Sequence, residues 1–254
     1  MSPGDRSDDA RVAGRQALLV FAASALLVTA FDQINVEVPA LGNVGAALVA
    51  LLFVYGPVAV ARWRHEDLDD YGFRAQPTRR GLITAAIAIA ILFPAFAVGY
   101  VGFYTVACAS KQLVVLAPPG LCARFGGLVG LHSPALVWDP LAKNSFLAFC
   151  AVQLVVVALS EELFFRGMLL RLLERRFPPN HRFLGGGVGI ALVLQAAAFA
   201  AVHVPRYGPH ALVIFFPGLL FGWMRSSTGS ILASTVTHGA SNIFIDLLQR
   251  AVLR

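Results

Sequence analysis

The sequence predicts an all-α fold, a polytopic transmembrane helical bundle of about seven to eight spans. Of its 254 residues, 57% are hydrophobic and 13% are charged, whereas soluble domains contain about 25% charged residues. The apolar residues gather in runs long enough to cross a bilayer as helices, which takes about 20 residues. The net charge of +6 would suit nucleic acid. Because the basic residues mostly flank apolar runs, they report membrane topology instead, and we predict a lipid bilayer but no nucleic acid among the partners.

Seven spans follow a polar segment, residues 1–15, which we predict to be a disordered tail. The spans are predicted at 16–31, 43–61, 81–107, 144–177, 184–204, 209–224 and 230–248. The first resembles a signal peptide but lacks a convincing cleavage site, so it is interpreted as an uncleaved helix. Residues 108–143 are rich in Pro and Gly yet fairly apolar, which predicts a re-entrant or interface-lying segment and an eighth element. Residues 16–254 therefore form a single membrane domain.

The basic side chains predict the orientation of this bundle. With the N-terminus inside, 13 of the 20 Lys and Arg residues lie on the cytoplasmic side, 6 lie outside, and Arg166 lies in the membrane. This bias favours a cytoplasmic N-terminus in an integral protein, which we expect in a bacterial cytoplasmic membrane. Cys108 and Cys122 bracket one loop and could form a disulfide if the loop is extracytoplasmic. Two free thiols are the equal alternative.

Two adjacent carboxylates and an arginine end an uncharged apolar run in the fourth span. Ionisable groups in a membrane are costly and persist when they pair, line a water cavity or do chemistry. Glu162 and Arg166 are four residues apart and can pair on one helix face. Glu161 points about 100° away, which leaves its carboxylate free for another role. The alternative is an ordinary charge cluster at the end of a span.

Polar residues in two later spans complete a candidate site. His203 lies in the fifth span, where Gln195 is a further candidate, and His238 and Asn242 share one face of the seventh. Each alone could be interhelical packing. Together they supply a carboxylate, two imidazoles and an amide, which suits a general base, its partner and oxyanion donors.

Three motifs in order give this set a family resemblance. Glu161-Glu162-x-x-x-Arg166, Phe199-x-x-x-His203 and His238-x-x-x-Asn242 resemble the CPBP family, the CAAX-protease and bacteriocin-processing (Abi) intramembrane endopeptidases that are similar to the Ras-converting enzyme. The resemblance covers about 140–250 and places the catalytic helices within 144–250. It implies hydrolysis of a peptide bond in a membrane-associated peptide or protein tail, with that peptide or protein as the partner.

The resemblance also implies a role for each motif residue. Glu161 would activate water with His203 as its partner, His238 and Asn242 would stabilise the oxyanion, and Glu162 and Arg166 would form the structural pair. No cofactor is expected. The alternative is zinc held by Glu161, His203 and His238, although no His-Glu-x-x-His motif is present.

Two other functions compete with proteolysis. One is a non-catalytic immunity or partner-binding membrane protein, against which the intact motifs argue. The other is a proton-coupled transporter that relays protons through Glu161 and the histidines, for which the sequence lacks inverted repeats.

Overall fold

A computed structural model describes residues 3–38, 42–127 and 145–253 and confirms the all-α membrane fold. Nine helices lie within these ranges: α1 (Pro3–Phe31), α2 (Val44–Arg64), α3 (Thr78–Ala109), α4 (Leu121–Arg124), α5 (Phe146–Arg176), α6 (Ile190–Ala201), α7 (Val204–Tyr207), α8 (Phe215–Thr228) and α9 (Leu232–Val252). Two small antiparallel hairpins accompany them, formed by β1 (Glu37–Val38) with β2 (Gly42–Asn43) and by β3 (His181–Phe183) with β4 (Gly186–Val188).

Five segments within the described ranges are long and apolar enough to cross a membrane. They are Asp8–Phe31, Val44–Arg64, Thr78–Ala109, Phe146–Arg176 and Pro209–Thr228, and they correspond to spans one to four and six of the prediction. The other two predicted spans differ from these five in length or polarity. Helix α6 has 12 residues, and α9 has 21 residues with many polar side chains.

The start of the chain differs from the prediction of a disordered tail over residues 1–15. Helix α1 already begins at Pro3. Asp9 explains the order, because its carboxylate lies 2.5 Å from Arg64 Nη2 and 3.3 Å from Arg175 Nη1. The polar residues of α1 therefore bind to the far ends of α2 and α5.

These contacts define one end of the bundle. Arg175 Nη2 also lies 2.6 Å from Glu66 Oε1, and the buried Tyr71 hydroxyl donates to the other oxygen of Glu66 at 2.9 Å. Burial and this hydrogen bond raise the pKa of Tyr71. We call the end that holds Asp9, Arg64 and Arg175 the basic end.

The opposite end carries the predicted disulfide. Cys108 at the end of α3 is bonded to Cys122 in α4, which resolves the alternative of two free thiols. The segment after α4 contacts the last residues of α9, because Gly126 N–H donates to the Val252 carbonyl at 2.8 Å. We call this the disulfide end. Of the predicted re-entrant segment in 108–143, residues 128–143 lie outside the described residues.

Helix α5 runs as one element from Phe146 to Arg176, as predicted, but its geometry is not uniform. Two π-helical stretches, Val152–Ala158 and Leu163–Leu169, flank the α-helical turn Leu159–Glu162. Such stretches are rare and are often found at functional sites.

The fifth predicted span, 184–204, is partly wrong. Its glycine-rich start does not form helix; it forms the β3–β4 hairpin, which packs against α8. A Cβ at Gly186 would come within 2.4 Å of Trp223 Cδ1, and Trp223 Nε1 donates to the Phe183 carbonyl at 2.7 Å. The apolar helix of this region therefore begins only at Ile190.

Candidate active site

A fully buried ion pair lies under the candidate site. Arg166 Nη1 lies 2.7 Å from Glu162 Oε1, and both side chains are 0% exposed. The guanidinium stacks on aromatic rings, with Cζ 3.9 Å from the Phe199 centroid and 5.1 Å from that of Phe221. These rings can stabilise the cation by cation–π interaction, so the pair joins α5 to α6 and α8.

Glu162 has a second partner that helix spacing could not reveal. His238 Nδ1 on α9 lies 2.9 Å from the same Glu162 Oε1. Because a carboxylate oxygen only accepts, His238 Nδ1 carries the proton of this bond. This assignment follows from the chemistry of the Glu162 carboxylate. The other ring nitrogen, His238 Nε2, faces Glu161.

Glu161 lies between the two histidines. Its Oε2 is 3.8 Å from His238 Nε2 and 4.0 Å from His203 Nε2, and among the described residues this buried oxygen has no hydrogen-bond partner. Both separations exceed direct hydrogen-bond length. The structure therefore brings all three groups around one small volume.

His203 is oriented by its own helix. Its Nδ1 lies 2.7 Å from the Phe199 carbonyl, and since a carbonyl only accepts, Nδ1 is the protonated nitrogen. When neutral, His203 and His238 both present an unprotonated Nε2 to Glu161. His238 can therefore donate from Nε2 only as an imidazolium. The predicted oxyanion role of His238 thus requires the protonated ring, which the sequence did not reveal.

Asn242 is held by a residue that the sequence analysis missed. Its Nδ2 donates to Gln153 Oε1 at 3.0 Å. Gln153 is a single polar side chain in the apolar run that precedes Glu161, which was the available signal. The other candidate amide, Gln195, is fully buried in α6 and lies against Gly222 of α8. It is not among the residues that line the cavity described next.

A cavity of about 1780 Å³ contains the polar group. Glu161, His203, His238, Asn242 and Gln153 all line it. Much of the remaining wall is apolar and comes from α2, α3, α5 and α8. A peptide segment and water can both fit in a space of this size, since ordinary ligand pockets measure about 300–1,000 Å³.

The short α6 explains how His203 reaches Glu161. From Ile190 to His203 the chain rises about 20 Å at 1.5 Å per residue. From Arg176 back to Glu161 it rises about 22 Å by the same measure. Because α6 begins at Ile190, its end lies at about the same depth as the middle of α5. A helix that began at residue 184 would place His203 beyond that depth.

In the zinc alternative, Glu161, His203 and His238 are the residues that would hold the ion. Among the described residues, no group of three or more His, Cys, Asp or Glu side chains is arranged to hold a metal ion.

Comparison with known proteins supports the motif-based resemblance. Residues 143–244, less than half of the chain, match the model of the family described as Rce1-like, type II CAAX prenyl endopeptidase Rce1-like. Comparisons with curated proteins and with solved structures found no match. The family match confirms the resemblance that the three motifs predicted, and it indicates a protease of the CAAX type.

Proposed function

We propose that the protein is an intramembrane endopeptidase that hydrolyses a peptide bond with water activated by Glu161. The observation that carries this proposal is the position of Glu161 Oε2, 3.8 and 4.0 Å from the Nε2 atoms of His238 and His203 inside the cavity. A water bound to Glu161 Oε2 can bridge each of these separations, because both exceed a direct hydrogen bond but fit one water between the two atoms. Glu161 and His203 then serve as base and partner, the roles that the motifs imply.

The chemical step needs only groups that line the cavity. Glu161 takes a proton from the water while its oxygen attacks the peptide carbonyl, and the proton later passes to the leaving amine. The carbonyl oxygen becomes an oxyanion, which needs positioned donors. Asn242 Nδ2 has two hydrogens, so it can give one to Gln153 and keep the other for the oxyanion.

Glu162 supports the second donor. A carboxylate bonded to one imidazole nitrogen stabilises the imidazolium form, as in hydrolase triads. The 2.9 Å contact between Glu162 Oε1 and His238 Nδ1 can act in this way, so that His238 Nε2 donates to the oxyanion. In this proposal Glu162 and Arg166 are structural groups that also position His238.

The test of the proposal is metal-independent cleavage by the whole protein. We expect purified full-length chain, added to solubilised membrane proteins, to create new peptide termini that mass spectrometry detects. A zinc chelator should leave the yield of these termini unchanged, because the base is a carboxylate and not a metal-bound hydroxide. The Glu161→Gln protein, purified in parallel, is the control for contaminating proteases.

Two outcomes would contradict the proposal in different ways. If chelation stops cleavage and zinc alone restores it, with about one zinc per chain, the metal-free mechanism is wrong. If folded protein creates no termini that depend on Glu161, the non-catalytic partner-binding function takes first place.

Gln153 provides a further prediction. Replacing it with alanine removes the bond that orients Asn242, and a hydrogen bond contributes about 0.5–1.5 kcal/mol. We expect Gln153→Ala to lower kcat about 2- to 10-fold with little change in KM, since the cavity walls remain. Steady-state kinetics of Gln153→Ala check this prediction. The control, measured in parallel, is Val155→Ala, a change at an exposed position of α5. An unchanged kcat, or a rise in KM alone, would contradict the positioning role.

We also propose that the basic end of the bundle faces the cytoplasm. Charged loops and helix ends there carry most of the arginines, including Arg62, Arg79, Arg80 and Arg176. Cytoplasmic segments are enriched in Lys and Arg. The start of α1, which lies at this end, is then inside, and a bacterial cytoplasmic membrane remains the expected location.

A further inference from the structure

The cavity opens away from the basic end. Its lining residues come from the end of α1, the first half of α2, the middle of α3, the first half of α5, the end of α6, the start of α8, and α9 from Thr237 to Gln249. None of the described lining residues comes from the end defined by Asp9, Arg64 and Arg175, and the lining of α1, α2, α5 and α8 lies in the half of each helix away from that end. The lining reaches out to Asp32, which follows α1, and to Glu37 of β1.

The disulfide lies at the same end as this opening. Cys108–Cys122 adjoins the end of α3, and the segment after it bonds to the last residues of α9, one turn beyond the cavity-lining Gln249. Disulfides persist in oxidising compartments and are rare in the cytoplasm. The disulfide and the arginines, which are independent observations, therefore assign the opening to the same side.

The described rim of the cavity has an excess of one carboxylate. Asp32 pairs with Arg206 at 3.0 Å, and Asp246 pairs with Arg250. Glu37 also lines the cavity and is exposed to solvent, so three carboxylates face two arginines and the net charge is −1. Carboxylates at the mouth of a low-dielectric cleft concentrate cations and repel anions.

We propose that the active site is reached from the extracytoplasmic side and that its substrate is an exported or membrane-anchored polypeptide segment with a neutral or basic residue at the rim. A cytoplasmic chain terminus with a free carboxylate would lie on the opposite side of the membrane from the opening, and the carboxylates of the rim would repel it. This inference rests on the proposed protease function only in calling the bound polypeptide a substrate. The side of the membrane on which the cavity opens and the charge of its rim can both be measured without turnover.

Cysteine labelling of the full chain in intact cells tests the proposal. In a Cys150→Ser background, Ser241→Cys places a thiol on the cavity wall, and Arg182→Cys places one on the exposed β3 at the other end. We expect membrane-impermeant methanethiosulfonates to label Ser241→Cys in intact cells and Arg182→Cys only after the membrane is opened. The reverse pattern, or a Ser241→Cys thiol that reacts only after the membrane is opened, would overturn the proposal.

The charge of the reagent tests the rim. Each labelling rate is first divided by the rate at which the same reagent modifies a free thiol in solution. A cationic trimethylammonium methanethiosulfonate should then label Ser241→Cys about 10-fold faster than an anionic sulfonate reagent. Glu37→Gln should reduce this ratio. Equal rates, or faster labelling by the anion, would overturn the acidic-rim part. Correct labelling in a protein that cleaves nothing would leave the sidedness standing and remove the protease function, so the two failures are distinguishable.

Discussion

Replacing Glu161 with glutamine is expected to lower kcat by about 10²–10⁴-fold, which is the range that general-base assistance contributes. Glutamine keeps the size of the side chain but cannot accept the proton of the attacking water. His203→Ala should have an effect of the same order, because His203 Nε2 faces the same Glu161 oxygen. The double variant should be little worse than either single one, since groups that serve one water act as a unit. Steady-state rates of purified protein check all three variants.

The matched control is Glu174→Gln on the same helix. Glu174 pairs with Arg225 at the basic end, where both side chains are largely buried, outside the cavity lining. Glu174→Gln should therefore lower stability, while the kcat of the folded protein stays near wild type. Asn242→Ala should retain weak activity, because one oxyanion donor contributes about 10²–10³-fold and His238 would still donate. A Glu161→Gln protein that cleaves at the wild-type rate would exclude Glu161 as the base.

Removing the Arg166 side chain is expected to have the largest effect on stability. Arg166→Ala leaves the fully buried Glu162 without its cation, and breaking one side of a buried pair costs on the order of 3–5 kcal/mol. His238 lies 2.9 Å from Glu162 and would bind the orphaned carboxylate more tightly. We therefore expect a lower melting temperature and a lower yield in detergent, together with a loss of activity in the protein that folds.

Two comparisons make this prediction specific. Arg250→Ala breaks an i, i+4 pair of the same type, 2.6 Å long but with the arginine 44% exposed, and exposed pairs contribute about 0–1 kcal/mol. Combining Glu162→Gln with Arg166→Met removes both charges and should recover stability. It should not recover activity, because His238 then lacks its carboxylate. Wild-type stability of Arg166→Ala would show that the pair contributes little to the fold.

Local sequence rules predicted the parts of this molecule that depend on one helix. Apolar runs gave the long spans, and the spacing of Glu162 and Arg166 gave their contact, because both signals lie within a few residues. The order of residues 3–15 was not predictable in this way, since Asp9 finds its partners 55 and 166 positions away. The glycine-rich start of the fifth span was interpreted as a helix because apolar small residues suit helix packing as well as a tight hairpin.

The candidate site shows the same division. Its four motif residues could be named from the sequence, whereas the link from Glu162 to His238 crosses between two helices and leaves no local pattern. Gln153 was missed because a single amide in an apolar run has no spacing signal, and a π-helical stretch begins at Val152 and changes the regular helical phase. The tautomers of both histidines likewise depend on partners that only the fold supplies.

The 12-residue α6 has a consequence for the membrane in which the protein can work. A helix of that length extends about 18 Å, against a hydrocarbon core of about 30 Å. A short apolar helix can be accommodated by local thinning of the bilayer, and each ångström of mismatch costs a fraction of a kcal/mol. We therefore expect lipids with long, saturated acyl chains to strain the bilayer beside α6 more than short-chain lipids do. The stability of the purified protein should then depend on the acyl-chain length of the lipid that surrounds it.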